Sequence, residues 1–217
     1  MDIKKITLFG FPLINTKIDK NSYNKKSIIS AIEKNFKLNK RRNNWDKTSV
    51  LHHSYNDESN LEYHKVNFDT LIPVYKKVLR GMFNNMASRL SYNFTFGIVN
   101  YTCLSKSNYM ESHVHPGTDF TAVHYIQFDK KHHTSTRFEN TSPYADYIRD
   151  LRPELDKIFC EKDYLNSWVY QNWTLDDVEE DYFYLSPSFL KHKIPPQHSK
   201  NKNRITIILN ITLKRKE

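Results

Sequence analysis

Near Ser91 the apolar residues of this chain stop recurring at helical spacing and begin to alternate, and that change of period restricts the fold more than any other feature. Before it, Ile28, Ile29, Ile32 and Phe36 predict a helix around Lys25 to Asn35. Leu71, Ile72, Tyr75, Val78, Leu79, Met82 and Met86 predict a longer one over Phe68 to Leu90, and each should lay one face on a sheet. After it, "SYNFTFGIVNYTCL", "FTAVHYIQF", "EEDYFYLSP" and "RITIILNITL" read as strands. An opening strand is expected over Ile3 to Pro12, and the polar Asn39 to Asn60 stretch reads as an irregular loop. Helices followed by a run of antiparallel-looking strands indicate an α+β domain built on a sandwich or barrel. The more helical segment from Glu139 to Leu175 reads as an insertion between barrel strands, and its Tyr144, Tyr147, Trp168 and Tyr170 make it a candidate lid.

A chain of 217 residues with 38% hydrophobic and 14% aromatic content can bury one sizeable core. With only 4 glycines, no repeat and no Gly/Ser linker, a single domain over 1–217 is expected. The longest apolar runs, such as Ile205 to Ile211, are far short of the roughly 20 residues a membrane helix needs, and the first residues are charged, so a cytoplasmic chain is expected. Cys103 and Cys160 are too few for a disulfide scaffold or a cysteine zinc site. The net charge of +9 is densest over Lys37 to Arg42 and Lys191 to Arg204. Neither cluster carries the aromatic interleaving of a single-strand stacking platform. A solvated lysine-rich surface accounts for the charge; a nucleic-acid surface is the alternative.

The chemistry concentrates in two segments. In "ESHVHPGTDFTAVHYIQF", His113 and His115 precede a Pro-Gly turn, and residues two apart in an extended segment share a face, so both imidazoles can reach one metal ion. Alternating surface histidines are common, so this pair is weak evidence alone. In "YFYLSPSFLKHKIPPQHSKNKNRITIILNITL", His192 follows an apolar strand and Arg204 heads the next. An arginine there is costly to bury unpaired, which calls for a carboxylate partner: a bound dicarboxylate, or an Asp or Glu at an exposed strand end.

In the order of these elements the chain resembles the Fe(II)/2-oxoglutarate-dependent oxygenase superfamily, in particular the branch common in phages and marine bacteria. The matching segments are "LFGFP", the Trp-containing "NNWDKTSVLHHS", "HVHPGTDFTAVHYI" and "LSPSFLKHKIPPQHSKNKNRITIILN", which together span nearly the whole chain. The resemblance implies a double-stranded β-helix, a jelly-roll of the cupin-like kind, with the N-terminal helices packed on its major sheet. It implies that His113 and His192 ligate iron and that Arg204 binds the distal carboxylate of 2-oxoglutarate. Thr206, Tyr125 and Tyr101 become cosubstrate contacts. The implied reaction is hydroxylation of an unidentified substrate by O2, with release of succinate and CO2.

This sequence departs from the superfamily at the middle ligand, where a carboxylate is usual and His115 stands. Either His115 is the third ligand, or Asp119 is, folded back by the Pro116-Gly117 turn. His124, in an apolar strand, is a candidate substrate contact; His52, His53, His132, His133 and His198 read as surface residues. Two other functions fit the pattern: a three-histidine metal-dependent dioxygenase that uses no 2-oxoglutarate, and a non-enzymatic basic binding module on the same barrel.

Overall fold

The computed structural model describes residues 4–8, 11–55, 63–86, 92–140, 172–198 and 202–215. In chain order these form β1 (Lys4–Leu8), β2 (Phe11–Lys17), α1 (Lys25–Leu38), β3 (His52–His53), α2 (Leu71–Met86), β4 (Tyr92–Leu104), β5 (Met110–His113) and β6 (Phe120–Gln127). They continue with β7 (Arg137–Glu139), β8 (Asn172–Thr174), β9 (Tyr182–Pro187), β10 (His192–Ile194) and β11 (Arg204–Arg215). One sheet has seven strands in the order β1-β2-β9-β6-β11-β4-β3; the other has four, β5-β10-β7-β8. All named strand pairs are antiparallel. Two antiparallel sheets with few helices make a jelly-roll-like fold.

The expected single strand over Ile3 to Pro12 is instead a hairpin, with β1 paired to β2 and β2 running on to Lys17. β9 pairs with β2 only from Ile14 onward, so Pro12 sits where no β9 bond is required of its missing N–H. The first helix runs three residues past Asn35. The second begins at Leu71, with Pro73 tolerated in its first turn where the N–H has no intrahelical partner anyway, and its expected end at 87–90 lies outside the described residues. The candidate lid at Tyr144, Tyr147, Trp168 and Tyr170 also lies outside them, as does Cys160. The two ends of that insertion are paired strands, Arg137 opposite Thr174 and Glu139 opposite Asn172. Among the described residues no helix is long and apolar enough to cross a membrane.

Alternation along β11 decides where the site can be. Ile205, Ile207, Leu209 and Ile211 join one buried cluster with Ile28, Ile32 and Phe36 of α1 and Leu71, Tyr75, Leu79 and Met82 of α2. Arg204, Thr206 and Ile208 therefore point the other way, towards the four-stranded sheet. There Val123, Tyr125, Tyr182, Tyr184 and Ile208 pack against Phe138 of β7 in a second cluster. Because both faces of the large sheet are covered, its central strands bury residues on both sides, and a polar side chain between the sheets needs a partner or a ligand.

Candidate metal and dicarboxylate site

His113 and His192 are brought together by strand pairing: they stand directly opposite each other where β5 meets β10. Opposed side chains project to one face, and the two rings lie 4.4 Å apart. His115 lies two residues past His113, its backbone N–H donating to the Ser188 carbonyl at 2.9 Å. Its ring is 5.3 Å from each of the other two and nearly parallel to that of His192. The turn that follows bends at Gly117, whose φ of +78° lies in the left-handed region that glycine enters without strain. One ligand nitrogen from each histidine falls within 4.8 Å of the others.

Protonation suits these rings for metal binding. The Nδ1–H of His113 donates to the Glu111 carbonyl and that of His192 to the Leu190 carbonyl, both at 2.8 Å, which leaves each Nε2 lone pair free. Burial lowers the pKa of all three; His115 falls to about 4, and the neighbouring rings depress His192 further. All three are thus neutral at pH 7. Asp119 is not part of this cluster. It is exposed, and its carboxylate accepts the Leu213 backbone N–H at 2.7 Å.

Arg204 opens onto the same cavity as the three histidines, with Thr102 and Thr206. Its side chain is fully buried. Nε donates to the Thr134 carbonyl at 3.1 Å, Nη2 reaches Thr136 Oγ1 at 3.5 Å, and Nη1 has no partner. Among the described residues no carboxylate pairs with it, so the surface ion pair allowed for in the sequence is absent there. Thr206 shares a 2.6 Å hydrogen bond with Thr102, leaving hydroxyl capacity facing the cavity. Tyr125 lies under the guanidinium, 4.9 Å from ring centre to Cζ, while its hydroxyl is engaged by Thr136.

Two expected contacts fall on the wrong side of the sheet. Tyr101 alternates with Thr102 on β4 and so faces α1, where its hydroxyl accepts a 2.8 Å bond from Asn35. His124 faces α2: Tyr75 lies 2.9 Å from its Nδ1, and Asp181, itself held by Tyr23 and Lys25, 3.6 Å from its Nε2. Neither lines the cavity.

The histidines expected at the surface divide. His132 and His198 are exposed, but His52, His53 and His133 are buried. His133 is a structural link, accepting from the Asp129 N–H and bonded to the Lys202 carbonyl. His52 and His53 form β3, paired to Cys103 and Thr102, because the polar loop folds back onto β4. That loop is pinned by Asp46, which caps Thr48 and Ser49, and by the Ser49 hydroxyl, which accepts from the Glu111 N–H. It carries Trp45 to within 4.8 Å of the His113 ring.

Burial lowers His52 to about 4 and His53 to about 3, the latter helped by His113 and His52. A lowered histidine pKa means that the unfolded chain takes up the proton first, so this stability is whole above about pH 6.5 and drains away as pH falls towards 4. Each fully buried histidine then removes up to about 1.4 kcal/mol per pH unit. Urea midpoints of chelator-treated protein should therefore fall steeply between pH 6.5 and 4, and a flat profile there would contradict the neutral, buried rings.

The basic clusters are also less free than their sequence implies. Arg42 and Arg204 turn inward, Lys191 and Lys193 pair with Glu139, and Lys202 with Glu180.

No protein-family model matches the chain, and no curated protein matches it in sequence. In structure it is similar to a Pseudomonas putida prolyl-4-hydroxylase, with 8% identity and a TM-score of 0.50 over 94% of this chain and 93% of that one. It is also similar to a Trichoplax adhaerens prolyl hydroxylase solved with a hypoxia inducible factor peptide fragment, with 12% identity and a TM-score of 0.52 over 94% and 83%. A 2OG-Fe(II) oxygenase family oxidoreductase from Burkholderia pseudomallei overlaps less, with 9% identity and a TM-score of 0.42 over 66% of this chain; the chain spans 57% of that protein. At such identities the likeness is one of fold, which the chain shares with the two prolyl hydroxylases.

Proposed function

We propose that this chain, which has the fold of prolyl hydroxylases, is an Fe(II)- and 2-oxoglutarate-dependent hydroxylase on a double-stranded β-helix. His113, His115 and His192 would hold the iron, and Arg204 would hold the far carboxylate of 2-oxoglutarate. The observation that carries this reading is the buried Arg204 with an unpartnered Nη1, opening onto the same cavity as three neutral histidines. A guanidinium without a counter-charge is expensive in the interior, and a dicarboxylate entering the cavity supplies one. Iron and 2-oxoglutarate would together supply an oxidative decarboxylation that yields succinate and CO2 and drives hydroxylation of a second substrate.

The residues divide this work. Three uncharged imidazoles leave the charge of a divalent ion whole, and a dianion offsets it. Tyr125 and the Thr134 carbonyl hold the guanidinium in place, so that Tyr125 is a positioning residue rather than a cosubstrate contact. Thr206 offers a hydroxyl beside Arg204. The second reading, a three-histidine dioxygenase without 2-oxoglutarate, is favoured by the narrowness of the cavity, about 30 Å³, which must widen to admit a dicarboxylate.

The test is turnover of 2-oxoglutarate by the full chain with ferrous iron, ascorbate and O2, following succinate by NMR. Succinate above the protein-free control, dependent on iron, is the expected result. No succinate, together with no binding of 2-oxoglutarate to iron-loaded protein, would hand the site to the second reading.

A further inference from the structure

A second cavity, of about 130 Å³, adjoins the histidine cluster on its outer side, with His113 and His115 in its wall. Trp45, Tyr55, Val114 and Pro116 supply apolar surface, and Tyr55 and Val114 are partly open to solvent at 37% and 40%. Among the described residues no Lys, Arg, Asp or Glu lines it. Besides the two cluster histidines, three polar side chains do: Asn210, His53 and Asn100. The His53 ring is buried and stacked on Trp45 at 5.9 Å, and its Nδ1 accepts the Tyr55 N–H at 3.3 Å. The neutral ring therefore carries its proton on Nε2, which is a donor. Asn100 is buried at 8% exposure, and its Oδ1 has no partner.

From this we infer that the outer cavity is the prime-substrate site and that it takes an uncharged, amide-bearing aliphatic group, with His53 donating to the amide carbonyl and Asn100 accepting the amide N–H. The inference rests on the metal reading of the three histidines for where the reacting carbon lies, but not for what the cavity recognises. An orphaned buried acceptor is costly to leave unmet, and an amide meets it with its N–H while its carbonyl takes the donor, without bringing a charge into the cavity. Among the described residues a carboxylate or an ammonium finds no counter-charge here. The same argument counts against a phosphate-bearing occupant, despite the basic charge of the chain.

The probes are N-isopropylacetamide and two smaller charged analogues that keep its isopropyl group, isobutyrate and isopropylammonium, titrated into the 15N-labelled full chain. A chelator keeps the protein metal-free, so that isobutyrate cannot bind as a metal ligand. The amide should shift the His53 ring and Asn100 side-chain resonances, while the charged probes leave them in place. His53→Leu should weaken amide binding about tenfold, and His53→Gln, which restores an N–H donor, should recover most of it. Equal shifts from either charged analogue, no shift with the amide, or unchanged binding in His53→Leu would each overturn the inference. This titration contains neither iron nor 2-oxoglutarate, so its failure and a failure to form succinate are separate results.

Discussion

Replacing His113 or His192 by alanine should abolish ferrous-ion binding, and His115→Ala should weaken it far more than Asp119→Ala does. With three ligand nitrogens gathered within 4.8 Å, each alanine removes a third of the donor set. Losing an outer partner of a metal ligand typically costs 10- to 100-fold in affinity, so losing the ligand itself should exceed about a hundredfold. Asp119→Ala acts elsewhere: it frees the Leu213 N–H and costs about 1 kcal/mol of stability with iron content unchanged. Iron per chain after gel filtration, with circular dichroism to show that each variant folds, decides the matter. Full iron content in His113→Ala and His192→Ala would remove the site; a larger loss in Asp119→Ala than in His115→Ala would return the ordinary carboxylate triad.

Arg204→Ala should lower the affinity for 2-oxoglutarate by about 30-fold to several thousand-fold, the equivalent of roughly 2–5 kcal/mol for a buried charge pair broken on one side. Iron content should stay near one per chain, because the guanidinium would act on the far carboxylate and the histidines on the other end of the molecule. Arg204→Lys keeps the charge but loses the planar fork and its seat over Tyr125, so an intermediate loss is expected. Calorimetric titration of the iron-loaded chain reads all three proteins. Undiminished affinity in Arg204→Ala would dismiss the cosubstrate assignment and leave the buried, half-satisfied arginine without an explanation.

Much of this was determined by the sequence alone. The switch of period near Ser91 separates the two helices from the strands β4 to β11, because an amphipathic helix and a strand bury apolar residues at different intervals. Two-residue spacing gives His113 and His115 a common side, and the charged head of the isoleucine-rich β11 marks Arg204 as a residue in need of a partner.

What the period could not say is which side of a doubly covered strand faces the site. On β6 every residue from Thr121 to Gln127 is buried, as is every residue of β4 from Asn100 to Leu104, so alternation carries no label for inside, and His124 and Tyr101 proved to face the helices. His53 was equally hidden: in sequence it sits in a polar loop, and only the pairing of His52 and His53 with β4 buries it. The meeting of His113 with His192 depends on the same kind of fact. Strand register joins residues far apart along the chain, and no local pattern in either segment specifies the other. Sequence thus marked His113, His115, His192 and Arg204 as candidates for chemistry, and tertiary structure decided which residues share a cavity, because sharing a cavity depends on pairing and on which side is enclosed.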